Sequence, residues 1–214
     1  CQFCNVATGA GEPLDATEPF KVAQSISIMG IKHAVVTSVD RDDLKDGGSE
    51  HWAKTVLEIR KWNPDTTLET LIPDFQGNTD QLDNVIAVKP EIVSHNIETV
   101  RRLSREVRIQ AKYDRSMEVL KYLRDKGMKT KSGLMLGMGE TEEEIRETLA
   151  DLRAVGVDII TMGQYLQPTP RHLKVDRYVT PEEFAKYKDW ADAMGYEFVE
   201  SGPLVRSSYH AEKH

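Results

Sequence analysis

The sequence predicts a single α/β domain built as a (β/α) barrel or part-barrel, and three observations carry that prediction. Short β-branched runs alternate with amphipathic stretches from one end of the chain to the other, the pattern of a parallel sheet with crossover helices. Six strand-like runs fall on that βα rhythm, with no linker, repeat or low-complexity segment. The polar residues Asp40, Glu69, His95, Asn96, Glu140, Gln164 and Gln167 fall at the C-terminal ends of predicted strands, where a barrel builds its mouth. Ordinary loop polarity gives the same pattern, and an open doubly wound sheet is the competing architecture.

The elements follow in order. A first helix runs from Thr17 to Met29, with Asp15 or Thr17 as its cap, Pro19 in its first turn and Gly30 as its stop. His33 to Val39 is a buried-strand run, followed by an acidic loop, Asp40 to Gly48, and a helix to about Trp62. Leu68 to Pro73 is the next strand and Gln81 to Val88 the next helix; Glu91 to Asn96 is a strand, Thr99 to Leu103 a short helix, and Ser116 to Lys126 a longer one ending at Gly127. Thr130 to Leu136 runs as a strand into Gly137-Met138-Gly139-Glu140, and Thr141 with Glu144 forms a capping box for a helix to Ala154. Asp158 to Leu166 is a strand, a Pro-rich loop from Gln167 to Pro170 leads to a helix begun by Thr180, Pro181 and Glu183, and Tyr196 to Glu200 closes the sheet. The methionines 29, 117, 128, 135, 138, 162 and 194 read as core filler.

Composition removes several functional classes. With 214 residues, 39% hydrophobic and 29% charged, the chain is long enough to bury its own core. A net charge of −7 argues against a generic nucleic-acid binder. No apolar run approaches the roughly 18 residues of a membrane span. Residue 1 is cysteine rather than methionine, so the sequence reads as a fragment or processed product, and a signal or transit peptide upstream stays open.

Both cysteines lie in Cys1-Gln2-Phe3-Cys4, too close together to staple a chain of this size. A thioredoxin-like dithiol, half of a zinc site and part of an iron–sulfur motif are the three readings. The barrel rhythm does not match a thioredoxin-like chain, and the six histidines form no second zinc pair. Iron–sulfur ligation remains and requires another cysteine, upstream of residue 1. Gly137-Met138-Gly139-Glu140 reads either as a backbone cradle for an anion at a helix start or as a tight turn whose glycines permit positive φ. Asp46-Gly47-Gly48 carries the same pair of readings. The adjacent Ser207 and Ser208 near the chain end have no hydrolase elbow around them.

Taken together, Cys1 to Gly11, Val36 to Leu44, Glu69 to Phe75, His95-Asn96, Thr130 to Met135, Gly137 to Glu144, Gly163 to Pro168 and Gly202 to Ala211 resemble the lipoyl synthase family of the radical S-adenosylmethionine superfamily. The resemblance implies a partial (β/α)6-type TIM barrel over residues 1–214, with the first strand and an N-terminal extension missing and a C-terminal cluster-capping segment at about 201–214. It implies two [4Fe-4S] clusters. Cys1 and Cys4 match the second and third cysteines of the superfamily's C-x3-C-x2-C motif, whose open iron binds S-adenosylmethionine. Ser208 matches the serine that joins three extension cysteines on an auxiliary, sacrificial cluster, and Arg206 would influence that ligand or the sulfur under attack.

The same resemblance implies radical insertion of sulfur at C6 and C8 of an octanoyl chain on a lysine of a lipoyl carrier domain. The carrier would be the E2 subunit of a 2-oxoacid dehydrogenase or the glycine-cleavage H protein, with flavodoxin or ferredoxin as electron donor. Asp40, Asp46, Gly47, Gly48, Glu69, Asn96, Lys131, Glu140 and Gln164 are the expected S-adenosylmethionine-side residues, with Gln167 after them. Arg41, Asp42 and Asp43 are expected to organise their loop or the carrier's approach, and Arg101, Arg102 and Arg105 to give local basic docking. The expected location is a bacterial cytoplasm, with a mitochondrial matrix as the alternative.

Overall fold

The computed structural model describes residues 1–9 and 11–213; Ala10 of the cysteine block and His214 at the end of the C-terminal segment lie outside the described residues. Six strands lie side by side in chain order: β1 (His33–Thr37), β2 (Thr67–Leu71), β3 (Ile92–Ser94), β4 (Lys129–Leu136), β5 (Ile159–Gln164) and β6 (Phe198–Ser201). Every neighbouring pair is parallel. A doubly wound sheet reverses its strand order at a switch point; this sheet never does, so the barrel reading holds and the open-sheet alternative falls.

Among the described residues seven α-helices accompany the strands, α1 before β1 and the rest between strands: α1 (Glu18–Met29), α2 (Ser49–Trp62), α3 (Thr79–Ala87), α4 (Arg101–Val107), α5 (Tyr113–Asp125), α6 (Glu142–Ala154) and α7 (Pro181–Ala193). Local chemistry fixes their ends. Gly30 takes the left-handed conformation (φ 62°) and its N–H reaches the carbonyls of Ile26 and Ser27, closing α1. Thr141 with Glu144, and Thr180 with Glu183, form complete capping boxes that start α6 and α7.

One helix is displaced from its expected place. The predicted segment Thr99 to Leu103 becomes α4 at Arg101–Val107. Glu98 bridges to β4, donating its N–H to the Gly133 carbonyl (2.9 Å) and accepting from the Met135 N–H (2.9 Å). That pairing holds the backbone after β3 out of helix until Val100.

Alternate strand residues face opposite sides. The outward set, Val36 and Val93 among it, packs on Trp52, Leu82 and Leu123 of the helices. Ile160 and Met162 of β5 pack on Ile145, Leu149, Phe184 and Tyr187 of α6 and α7. Each such fully buried aliphatic or aromatic side chain contributes about 1.5–3 kcal/mol. Met117, Met128, Met138 and Met162 are core residues as expected, whereas Met29 at the end of α1 is 63% exposed and is not. The inward set includes Glu69, Ser94, Lys131, Gly133 and Thr161, and that is where the site lies.

Candidate active site

Glu69 on β2 and Lys131 on β4 point into the barrel and meet there. Their Oε2–Nζ distance is 2.9 Å, and Ser94 on β3 donates to Glu69 Oε1 at 2.5 Å. Both charged side chains are at most 1% exposed. Burial pulls the Lys131 ammonium below its ordinary value, and Glu69 opposes that shift. Glu69 is the third of five residues in β2 and Lys131 the third of eight in β4, so neither is a strand-end residue. The pair lies one inward position below Gly133, and each charge faces the other there.

Above that layer opens a cavity of about 220 Å³, lined by Asn96, Glu98, Gly133, Thr161, Gly163 and Gln164, with Phe3, Leu166 and the segment Val205–Ser207 around it. Gly133 is required where it stands: a Cβ there would lie 2.9 Å from both Asn96 Oδ1 and Thr161 Oγ1. Asn96 lines the cavity, and its Oδ1 is a buried acceptor with no hydrogen-bond partner. Glu98 takes a hydrogen bond from the Asn96 side chain; burial nevertheless raises its carboxyl above the usual range, with Arg108 opposing.

Behind the cavity wall runs a buried polar chain. Arg108, 3% exposed, donates to the Ile97 carbonyl (2.8 Å) and to Ser116 Oγ (3.1 Å). Ser116 donates to His95 Nε2 (2.8 Å), and His95 Nδ1 donates to the Ile72 carbonyl (3.0 Å). Burial, with Arg108 second, pushes the His95 imidazole down to about 4. His95 therefore serves the wall as a neutral structural group and does not reach the mouth, although it ends a strand.

The other expected residues divide as follows. Asn96, Gln164 and Arg206 line the cavity. The Gln164 amide is committed, donating to the carbonyls of Tyr165 and Arg177 and accepting from the Val179 N–H. Asp46 accepts from the N–H groups of Gly48 and Glu50 at the start of α2, and Gly47 and Gly48 are left-handed at 60° and 80°, so this triplet is a helix-starting turn. Glu140 accepts from the N–H groups of Gly137 (2.6 Å) and Met138 (2.9 Å). Those N–H groups are consumed within the turn, which removes the anion-cradle reading.

Asp40 is exposed beyond β1, and Arg41 forks onto Asp43 at 2.8 Å through both nitrogens, organising the loop. Of the expected docking arginines, Arg101 is bound to Asp114 and Asp151, and Arg102 to Glu144. Arg105 is exposed without an ion pair among the described residues. Gln167 holds the His172 carbonyl instead of facing the cavity.

Glu98, Thr161, Gly163 and Phe3 were not anticipated. Thr161 and Gly163 share inward parity on β5 with the registered partners Gly133 and Met135, a signal the alternation carries. Glu98 had none, because its place depends on the bridge to β4.

Cys1 and Cys4 are free thiols on one turn, closed by the Cys4 N–H on the Cys1 carbonyl at 3.4 Å. Phe3 between them lines the cavity. Among the described residues no three His, Cys, Asp or Glu side chains converge as a metal-ligand group. Two soft thiols on either side of the cavity-lining Phe3 fit part of the thiolate set of an iron–sulfur cluster. The orphaned Asn96 oxygen fits a ligand bearing hydroxyl or amino donors. Ser208 is exposed just past the cavity-lining Val205–Ser207.

The Radical SAM superfamily model matches residues 1–152. The lipoyl synthase of Flavobacterium psychrophilum is 65% identical over 100% of this chain and 74% of its own length. The chain belongs to the lipoyl synthase family. The mitochondrial lipoyl synthase of Nematostella vectensis is 64% identical over 100% of this chain and 74% of its own length. Among solved structures, Streptococcus suis SuiB bound to S-adenosylmethionine superposes with a TM-score of 0.69 at 10% identity, covering 99% of this chain and 49% of that one; this likeness shows the fold. Relatives thus include bacterial and mitochondrial proteins, and no helix among the described residues is long and apolar enough to cross a membrane.

Proposed function

We propose that this chain inserts sulfur at C6 and C8 of an octanoyl group carried on the lysine of a lipoyl carrier domain. The supporting observation is the cavity at the barrel mouth, which brings the cysteine loop, the partnerless Asn96 acceptor and the Arg206 segment together in a chain 65% identical to a lipoyl synthase.

In this reading Cys1 and Cys4 supply two thiolates for a [4Fe-4S] cluster, and Asn96 Oδ1 accepts from S-adenosylmethionine. Ser208 supplies an oxygen ligand to a second, sacrificial cluster. When bound, these groups furnish the hydrogen-abstracting radical and the sulfur. The chain's own residues position and enclose. Gly133 leaves room on the inner wall where a side chain would crowd Asn96 and Thr161, Gly163 lets the Val205 carbonyl seat against β5, Leu166 and Phe3 border the cavity, and Glu98 holds the Asn96 amide in orientation. Arg206, whose guanidinium donates to the Val205 carbonyl at 2.7 Å, stiffens the segment that presents Ser208. The carrier is the E2 subunit of a 2-oxoacid dehydrogenase or the glycine-cleavage H protein, and flavodoxin or ferredoxin supplies electrons.

The test uses the full-length protein, reconstituted anaerobically with iron and sulfide and given S-adenosylmethionine, a reductant and an octanoyl-lysine peptide. Lipoyl-lysine and 5′-deoxyadenosine are the expected products by mass spectrometry. Ser208→Ala is expected to retain 5′-deoxyadenosine formation and to lose sulfur transfer. A full-length protein that takes up no iron overturns the reading.

A further inference from the structure

The Pro-rich loop after β5 holds a histidine that the proposed reaction leaves without a role. His172 Nε2 lies 3.0 Å from the Cys4 carbonyl oxygen, across 168 residues of sequence. Its Nδ1 lies 2.8 Å from Thr169 Oγ1. A carbonyl only accepts, so Nε2 carries the proton, and Nδ1 accepts from the threonine hydroxyl. One neutral tautomer satisfies both bonds.

The loop around this ring is itself fixed. Gln167 donates to the His172 carbonyl at 2.9 Å and the His172 N–H donates to the Thr169 carbonyl at 3.0 Å. Tyr165, 1% exposed at the end of β5, donates its hydroxyl to the Leu173 carbonyl at 2.6 Å. The next contact crosses to the cysteine turn: the Leu173 N–H donates to the Gln2 carbonyl at 3.0 Å, while the Gln2 N–H donates to Val107 at 2.9 Å. The cysteine turn is therefore tied to α4 on one side and to the β5 loop on the other, and the only side chain that bonds the Cys4 backbone among the described residues is His172.

We propose that His172 is a positioning residue, which holds Cys4 in the orientation that an iron–sulfur cluster requires by donating from Nε2 to the Cys4 carbonyl, with Thr169 setting the tautomer. This rests on Cys1 and Cys4 as cluster thiolates. A carbonyl fixed by an imidazole N–H fixes the peptide plane next to the ligand, and partners of this kind commonly tune metal-site affinity.

The experiment has two arms on the full-length protein. In the metal-free chain, Cys4 alkylation by iodoacetamide, read by mass spectrometry, reports how freely the turn opens. In the iron-loaded chain, iron release to a chelator is timed. His172→Phe removes the donor and is expected to raise both rates roughly five-fold, the weight of one hydrogen bond. His172→Gln places an amide N–H at nearly the reach of Nε2 and is expected to stay within about two-fold of wild type. Thr169→Ala, which leaves the ring in place and removes the group that sets it, is expected to raise both rates about two-fold and serves if the phenylalanine variant does not fold.

His172→Phe or Thr169→Ala at wild-type rates in both arms overturns the role. So does His172→Gln as fast as His172→Phe, since that result assigns the ring to packing. Wild-type protein that takes up no iron overturns the cluster reading and this role with it; iron-loaded wild type with unaffected variants overturns the role of His172 alone.

Discussion

Gly163→Ala is expected to unseat the C-terminal segment while leaving the barrel folded. An alanine Cβ at 163 would lie 2.1 Å from the Val205 carbonyl oxygen and 3.1 Å from its carbon, roughly 1 Å or more inside contact distance. β5 is buried along its whole length and paired with β4 and β6, and close-packed interiors do not yield by that amount. The segment Val205–Ser208 is the side that can move. Overpacking of this kind costs about 1–3 kcal/mol, which raises the undocked fraction of the segment roughly 5- to 150-fold. Arg206 is exposed, and trypsin cleavage after it tracks the undocked population when docking is fast. Gly202→Ala is the control, because its Cβ would meet only Val205 Cγ2 at an ordinary 3.5 Å. Cleavage after Arg206 is expected to accelerate in Gly163→Ala and not in Gly202→Ala, and sulfur transfer is expected to fall in proportion to the docked fraction that is lost. Gly163→Ala cleaved at the wild-type rate with sulfur transfer intact would falsify the placement of this segment against β5.

Three further outcomes are expected. Lys131→Met strands the Glu69 carboxylate in the barrel interior and is expected to cost about 3–5 kcal/mol in urea unfolding, most of it recovered by adding Glu69→Gln; a double variant no more stable than the single one contradicts the pairing. His95 is held near 4 in the fold against an ordinary 6.5, so the unfolded chain binds the extra proton between those values. Unfolding free energy should therefore be full above about pH 6.5 and fall by about 3 kcal/mol on the way to pH 4; a His95→Gln variant with the same slope refutes the assignment. Asn96→Ala removes the partnerless acceptor and is expected to weaken S-adenosylmethionine binding about five- to ten-fold by calorimetry; an unchanged Kd shows that the oxygen faces no ligand donor.

The punctuation of the sequence located most elements to within a few residues. Gly30 stops α1 in the left-handed conformation, and the boxes at Thr141 and Thr180 start α6 and α7 as written, because caps act over one turn of chain. Where a long-range contact competes, local reading fails. Ile97 to Val100 carries helix-compatible residues, yet Glu98 is captured by β4 and α4 starts late. The same limit explains the site. Asp46 and Glu140 looked like ligand groups, but each carboxylate satisfies the N–H groups of its own turn.

The sequence by itself determined the sequential βα order, the cysteine turn and the family to which the chain belongs, since these depend on neighbours in the chain and on motifs read in order. Only the tertiary structure decided that Glu69 spends its charge on Lys131 across 62 residues, that Asn96 keeps a buried acceptor without a partner, and that His172 reaches Cys4 across 168 residues of sequence. The parallel sheet brings the C-terminal ends of its six strands to one side, and which polar groups find partners there depends on register and parity summed over all of them, a quantity that no single stretch of sequence contains.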